Sequence, residues 1–363
     1  MTSPRLIRCM AGLLLAAALP LPASADDVAD FYRGKRINLV VGYGTGGGYD
    51  LYARMLGRFL GGHIPGKPTI IPQNMPGAGS RGAANWLYNV APKDGTVIAT
   101  LSQTTPTDQA LGQPGVQFDV RKFNWIGNMV VVNNLLFVSA ASGVATLAAA
   151  KSKPLAIGAT GASSPSVLYP QVSNNLLGTR FRIVSGYPSG GDLNIAVERG
   201  EIDGRGSDSW ASLQTTHPDW LRDRKINILF QIGTKREAGL PDVPLWSELG
   251  QTDEQRQMLE ILSGDVAVGR PILTAPDVPP DRVRALRRAF DDTLADPSFV
   301  EAVSKANMEF HPIGGEELQN IVGRIAGASP KVIAMVKEAI KIKDVRQLPA
   351  DQKPKGGPSG DNE

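Results

Sequence analysis

The chain repeats one short pattern: an apolar run of strand length, a loop of glycines and small polar residues, and a segment with helical periodicity. The clearest example places apolar residues 37–41 before the glycine-rich residues 42–48, after which Leu51, Met55 and Phe59 recur at helical spacing. Strands that alternate with helices predict an α/β architecture in which largely parallel sheets are flanked by helices. We therefore expect the loops to gather at the carboxyl ends of the strands, where open α/β sheets bind ligands.

The pattern starts again near Trp125, which predicts a second sheet with its own binding edge. The predicted strands of the first group are residues 37–41, 69–71 and 97–101, and those of the second group are 135–138, 155–159, 181–184 and 226–231. Beyond residue 231 we expect helices, at 280–295, 297–306, 316–326 and 331–341.

The N-terminal residues have the pattern of a secretory signal peptide. Arg5 and Arg8 precede an apolar run at 10–19, and the small residues at 23–25 form a cleavage signature. The run is about half of the roughly 20 residues that a membrane-spanning helix needs. We therefore predict that residues 1–25 are a signal peptide and that the protein is periplasmic.

The charge, cysteine and histidine counts argue against several functions. The 363 residues include 38 Lys and Arg against 35 Asp and Glu, so no strong basic field favours binding to nucleic acid. The single cysteine, Cys9, lies in the predicted signal peptide, which leaves the mature chain without a disulfide or a thiol ligand. The three histidines are isolated and lack metal-binding spacing. No metal and no cofactor are predicted.

Residues 42–47 match G-x-G-x-x-G between a strand and a helix, the pattern of a dinucleotide-binding loop. The next strand leads to Gln73 and Asn74 instead of the acidic residue that would hold a ribose hydroxyl, so a nicotinamide site is not favoured. Glycines nevertheless expose backbone N–H groups, and the start of the following helix favours an anion. Asp50 is interpreted as a helix cap, because a carboxylate facing the anion would repel it.

Arg205 is the candidate charged ligand in the second group of loops. It lies between Gly204 and Gly206, where a strand edge is expected to open into a cleft. A guanidinium binds a carboxylate bidentately, which favours ligand contact. A surface or hinge salt bridge is the alternative, and the sequence leaves both open. Serines in the loop 160–166 lack an evident base, so they are expected to form hydrogen bonds instead of acting as nucleophiles.

Four stretches of the sequence together resemble one known family. These stretches are residues 41–50 with Ala53 and Arg54, residues 74–80 with 91–96, residues 186–203, and residues 235–246. They are similar to the solute receptors of tripartite tricarboxylate transporters, the TctC-like or Bug family, and the resemblance covers roughly residues 28–340. Two departures affect the loops: Gly44 and Thr45 stand where a proline is common, and Pro188 with Ser189 replaces the usual lysine.

The resemblance implies a two-lobed, type II-like periplasmic binding protein with its ligand cleft between the lobes. Residues 26–124 and 233–345 would form lobe 1, and residues 125–232 would form lobe 2. Residues 346–363, rich in proline, glycine and charge, are predicted to be a disordered tail.

The implied function is to capture a small organic di- or tricarboxylate by cleft closure and to deliver it to the large and small membrane subunits of a transporter. The receptor would be a monomer and not an enzyme. The expected ligand-binding residues of lobe 1 are Tyr43, Gly44, Thr45, Gly46, Gly47, Gly48, Gly77, Ala78, Gly79, Ser80, Ser102, Gln103 and Thr104. Those of lobe 2 are Gly161, Ala162, Ser163, Ser164, Tyr187, Ser189, Gly190 and Arg205. The alternatives are a ligand-sensing module for a signalling partner and a periplasmic serine hydrolase.

Overall fold

A computed structural model describes residues 25–131 and 133–341 of the chain. The predicted tail and, apart from Ala25, the predicted signal peptide lie outside the described residues. The strands are β1 (Arg36–Val41), β2 (Thr69–Asn74), β3 (Val97–Thr100), β4 (Asn124–Asn128), β5 (Asn134–Ser139), β6 (Leu155–Ala159), β7 (Phe181–Ser185), β8 (Gly204–Ser209), β9 (Ile226–Ile232), β10 (Pro271–Thr274) and β11 (Ile313–Gly314).

Helices flank the sheets that these strands form. They are α1 (Ala25–Tyr32), α2 (Gly48–His63), α3 (Arg81–Asn89), α4 (Thr105–Ala110), α5 (Leu147–Ser152), α6 (Pro165–Leu177), α7 (Gly190–Glu198), α8 (Trp210–Thr216), α9 (Pro218–Arg222), α10 (Asp253–Ser263), α11 (Pro280–Ala295), α12 (Pro297–Lys305), α13 (Gly315–Ala326) and α14 (Pro330–Ile340). In the part of the chain that the structure describes, no helix is both long enough and apolar enough to cross a bilayer.

The strands form two sheets, which confirms the predicted α/β class. The first sheet has the order β11-β4-β10-β3-β1-β2, and the second has the order β7-β6-β8-β5-β9. Each has a separate apolar core, one built around Trp125 and Phe290 and the other around Trp246 and Tyr169.

Each sheet is mixed, and so less parallel than the sequence predicts. β1 pairs in parallel with β2 and β3, and β6 pairs in parallel with β7 and β8. The pairings of β10, β11, β5 and β9 are antiparallel. The parallel strands belong to βα units, whose crossover connections fix the strand direction. The strands β5 and β10 each follow, along the chain, a strand of the other sheet. No crossover connection within one sheet therefore fixes their direction.

Three segments belong to or pack against a sheet other than the one that the predicted lobe boundaries suggest. β4 contains Trp125, where lobe 2 is predicted to begin, yet β4 is in the first sheet, and the chain passes to the second sheet between β4 and β5. Leu259 of α10 and Val336 of α14 belong to the apolar core of the second sheet, although residues 233–345 are predicted in lobe 1. The division into lobes is therefore kept as a proposal, with β4 in lobe 1 and α10 and α14 in lobe 2.

The sequence analysis predicts no strand at β4, β8, β10 or β11, and β8 and β10 carry no recognisable strand pattern. β8 is the central strand of the second sheet, yet its sequence is GRGSDS. Its glycines allow close packing, because a Cβ on Gly206 would lie 2.0 Å from the Ser166 carbonyl oxygen. β10 lies between β3 and β4, so the expectation of helices alone beyond residue 231 is wrong. Its four buried residues are too few to show a strand period.

Candidate ligand-binding cleft

A cavity with an empty volume of about 480 Å³ lies between the two sheets, at the loops that follow their parallel strands. Its walls come from both sides of the molecule. It is lined by Tyr43, Gly47, Gly48, Tyr49, Gln103, Asn134, Thr160, Ser164, Pro165, Ser166, Gly190, Leu193, Arg205, Ser207, Asp208, Ser209 and Arg270.

One third of the predicted ligand residues line this cavity. They are Tyr43, Gly47, Gly48, Gln103, Ser164, Gly190 and Arg205. The remaining predicted residues lie around it. Those that join the two sides of the cavity are Gly44, Gly79, Thr104, Gly161 and Ser163. Those that are exposed are Thr45, Gly46, Gly77, Ala78 and Ala162, whereas Ser80, Ser102 and Ser189 are buried away from the cavity and Tyr187 is half-buried.

Loops from the two sides touch at the rim of the cavity. The Gly44 N–H donates to the Pro188 carbonyl oxygen at 2.9 Å. The Thr104 hydroxyl donates to the Ser163 carbonyl oxygen at 2.6 Å. Gly79 and Gly161 pack so closely that a Cβ on Gly161 would lie 2.4 Å from the Gly79 nitrogen. The two sides are therefore in contact in this structure.

The N-terminal ends of α2, α6 and α7 all border the cavity. Gly48, Pro165 and Gly190 are the first residues of these helices, and each lines the wall. The ends of α2 and α7 are close together, since a Cβ on Gly47 would lie 3.0 Å from the Gly190 nitrogen. Each helix end carries a partial positive charge and unpaired N–H groups. Their convergence favours an anion in the cavity.

Asp50 holds the glycine loop in place and does not line the cavity. Its carboxylate accepts hydrogen bonds from the Gly46 N–H at 3.1 Å, Arg54 Nε at 2.9 Å and Asn74 Nδ2 at 2.8 Å. Burial alone would raise the pKa of Asp50, but these hydrogen bonds outweigh it and lower the pKa. Gly47 is the residue at the N-cap, so Asp50 acts within the first turn of α2 and not as its cap.

Arg205 lies on the cavity wall and forms a salt bridge that is buried and not on the surface, so ligand contact by Arg205 stays a prediction. It lines the cavity, and its Nη1 lies 2.5 Å from Asp208 Oδ2 in a salt bridge whose side chains are each 6% exposed. Nη1 also donates to Asn194 Oδ1, and Nη2 donates to the Ser207 carbonyl oxygen. Burial lowers the pKa of Arg205, while the charge of Asp208 raises it. Arg205 is thus a buried cation with its own counter-charge.

Arg270 is a second buried arginine on the cavity wall, and the sequence analysis missed it. It comes from the opposite side, directly before β10, and is 4% exposed. Its Nη1 makes only long hydrogen bonds, of 3.4 Å to Gln103 Oε1 and 3.4 Å to the Gly269 carbonyl oxygen. Among residues 25–131 and 133–341, no carboxylate pairs with Arg270 and its Nε has no hydrogen-bond partner. A lone arginine entering the short apolar run Pro271–Thr274 was the available sequence signal.

Two tyrosines form the wall beside Arg270. The rings of Tyr43 and Tyr49 are stacked with their centroids 4.6 Å apart, and the Arg270 guanidinium lies 4.2 Å from the centroid of the Tyr49 ring. The Tyr49 hydroxyl accepts a hydrogen bond from the Gln103 N–H at 2.9 Å. Burial raises the pKa of both tyrosines, so both are neutral at physiological pH. The ring of Tyr49 offers Arg270 a cation–π contact but no negative charge.

Behind the cavity, Asp265 joins the two sides through hydrogen bonds. Its Oδ1 accepts from the Tyr169 hydroxyl at 2.9 Å and from Gln103 Nε2 at 3.4 Å. Burial raises its pKa to about 7, although these two hydrogen bonds lower it. The folded protein therefore binds this proton more tightly than the unfolded chain does, and the contribution to stability falls as the pH rises from about 4 through 7.

We expect Asp265→Asn to stabilise the protein at alkaline pH. Above pH 7 the substitution removes a buried charge and should raise the free energy of unfolding by about 1–3 kcal/mol, whereas near pH 4 the protonated acid and the amide should be nearly equivalent. Urea unfolding of both proteins at several pH values measures this difference. Exposed Asp242→Asn is the control. A stability difference that does not change with pH would contradict the prediction.

Ser164 and Ser166 of the loop 160–166 bond to each other and to the backbone. The Ser164 hydroxyl donates to the Gly161 carbonyl oxygen at 2.7 Å and lies 2.6 Å from the Ser166 hydroxyl. Within the described part of the chain, no histidine forms a hydrogen bond with Ser163, Ser164 or Ser166. The same residues contain no cluster of acidic, histidine or cysteine side chains that could hold a metal ion.

Comparisons with known proteins find similarity along most of the chain. The model of a family described as "Tripartite tricarboxylate transporter family receptor" matches residues 62–339. The chain is 28% identical over 303 residues to a Cupriavidus necator protein described as "UPF0065 protein in gbd 5'region", covering 81% of this chain and 84% of that one.

Solved structures share the fold. "Structure of periplasmic binding protein BugD" matches with a TM-score of 0.68 and 21% identity, covering 85% of this chain and 98% of that one. MatC from Rhodopseudomonas palustris, solved with bound malate, matches with a TM-score of 0.65 and 18% identity, covering 85% of this chain and 99% of that one.

Proposed function

The chain belongs to the tripartite tricarboxylate transporter receptor family, and from this premise we propose that it is a periplasmic receptor for a small organic carboxylate. The receptor captures the solute in the cavity between its two sheets and hands it to the membrane subunits of a transporter. The observation that carries this proposal is Arg270, a buried guanidinium without a carboxylate partner among the described residues, on the wall of the cavity between the two sheets.

A carboxylate ligand supplies the negative charge that Arg270 lacks among the described residues. Leaving a buried cation unpaired is costly, and an anion beside Arg270 removes that cost. Gln103 and Ser164 line the same space and can hydrogen-bond the ligand, and the ends of α2, α6 and α7 add their partial positive charge. A hydrogen bond between charged groups contributes about 1.5–3 kcal/mol. Several such contacts reach the roughly 8 kcal/mol of micromolar binding.

Cleft closure is the proposed mechanism of capture. Arg270 comes from one side of the cavity and Arg205 from the other, so a ligand contacts both only when the two sides are together. Binding therefore shifts the population toward the closed form. The rim contacts between Gly44 and Pro188, and between Thr104 and Ser163, would form in the same step.

Thermal denaturation and X-ray scattering test this function in the protein without its signal peptide. We expect at least one compound from a panel of mono-, di- and tricarboxylates to raise the melting temperature in proportion to the logarithm of its concentration. The same compound should reduce the radius of gyration. If no carboxylate stabilises the protein, or if the bound compound is chemically altered on incubation, the receptor function is wrong.

A further inference from the structure

The formal charge of the cavity wall is +1. Apart from the neutral tyrosines, the ionisable side chains on the wall are Arg205, Asp208 and Arg270. Arg205 and Asp208 neutralise each other across 2.5 Å. Arg270 forms no salt bridge with a carboxylate among residues 25–131 and 133–341, although its charge lowers the pKa of Asp208, so the three side chains together leave one positive charge.

The Arg205–Asp208 salt bridge forms without a ligand, although Arg205 Nε has no hydrogen-bond partner among the described residues. Both residues belong to β8, three positions apart, and Arg205 is also held by Asn194 at 2.6 Å and by the Ser207 carbonyl oxygen at 3.1 Å. Both terminal nitrogens of its guanidinium are therefore already engaged. A negatively charged group that approached this wall would meet the carboxylate of Asp208 as well as an arginine that is already paired.

The wall around Asp208 offers neutral hydrogen-bonding groups. Asn134 lies on the neighbouring strand β5, beside Ser209, and its Oδ1 accepts a hydrogen bond from the Ser207 hydroxyl at 3.2 Å. Amide and hydroxyl groups can bind a neutral polar group of a ligand, because they both donate and accept hydrogen bonds. This side of the cavity thus differs in charge from the side that carries Arg270.

We propose that the cavity selects a ligand with a single negative charge, whose carboxylate pairs with Arg270 and whose far end is a neutral polar group beside Asp208. This inference rests on the proposed function and narrows its ligand class. A monoanion neutralises the formal charge of +1 on the cavity wall. A dianion leaves one excess negative charge in the cavity and brings its second carboxylate toward Asp208. Like charges brought together in this way act against the wrong ligand.

Matched pairs of ligands test the charge preference without any substitution. Succinate, glutarate and adipate are compared by calorimetry with succinamate, glutaramate and adipamate, which have the same length but carry one carboxamide in place of a carboxylate. At about pH 7.5 both carboxyl groups of each diacid are ionised. We expect the best-fitting half-amide to bind more tightly than its diacid by about tenfold or more. A diacid that binds equally or more tightly would overturn the inference.

The variant Asp208→Asn tests whether Asp208 causes the preference for half-amides over diacids. This variant raises the formal charge of the wall to +2, so the preference for the half-amide should fall by about tenfold or reverse. Asp292→Asn removes the same charge from an exposed position of α11 that does not line the cavity, and it should keep the wild-type preference. An unchanged preference in Asp208→Asn would exclude Asp208 as the selective group. If no compound in either series binds but a di- or tricarboxylate from the wider panel does, the inference is wrong while the proposed function stands; if no carboxylate binds at all, both are wrong.

Discussion

Replacing Arg270 by glutamine is expected to weaken carboxylate binding by about 100-fold or more while stabilising the ligand-free protein. Removing one partner of a desolvated charge pair costs about 2–5 kcal/mol of binding free energy. In the absence of ligand, the same substitution removes a buried cation that has no carboxylate partner among the described residues, which should raise the free energy of unfolding. Calorimetry with the best-binding carboxylate and urea unfolding without ligand measure the two effects.

The opposite signs of these two effects separate a ligand-binding role from a structural one. Arg121→Gln is the control, since that side chain is 60% exposed and pairs with Asp119 on the surface. It should change neither binding nor stability by much, because solvent screens exposed ion pairs and they contribute little. If the Arg270 variant binds with wild-type affinity, Arg270 is not in the site. If it loses both affinity and ligand-free stability, Arg270 supports the fold.

Gly161→Ala should weaken ligand binding by about tenfold to 100-fold without destabilising either lobe. The new Cβ would lie 2.4 Å from the Gly79 nitrogen and 2.9 Å from the Ala78 carbonyl carbon, both backbone atoms on the opposite side of the cleft. No side chain can rotate to relieve this clash, so the two sides must separate. Overpacking of this kind costs about 1–3 kcal/mol, and here the cost falls on the closed form.

Affinity and shape are measured together for this variant. The liganded Gly161→Ala protein should keep a larger radius of gyration than the liganded wild type. Gly62→Ala is the matched control, because its Cβ would meet nothing within 4 Å and it lies in α2, where alanine favours the helix. Wild-type affinity in Gly161→Ala would show that loops 77–80 and 161–164 do not approach each other in the bound state.

The elements that could be predicted are those with a local apolar pattern. β6 occupies residues 155–159 and α11 occupies residues 280–295, both as the sequence predicts. Apolar runs and helical periodicity depend on neighbouring residues alone, so they are visible before folding. β8 and β10 lack that pattern, because one is polar and rich in glycine and the other has only four residues.

The same difference between local and non-local signals separates the cavity-wall residues that were predicted from those that were missed. Gly47, Gly48, Ser164 and Gly190 were found because each lies where a loop after a strand meets the start of a helix, which is a local signal. Asn134, Ser207 and Asp208 line the cavity from strands of the second sheet and were missed. Nothing near them in the sequence marks them as facing a ligand.

By itself, the sequence determined that glycine-rich loops follow buried strands and precede helices, because backbone conformation and apolar patterning are local properties. Only the tertiary structure decided which charges in the cavity are balanced. It placed Asp208 against Arg205, and it buried Arg270 without a carboxylate among the described residues. The energy of a buried charge depends on groups that come from distant parts of the chain, and these groups meet only when the protein folds.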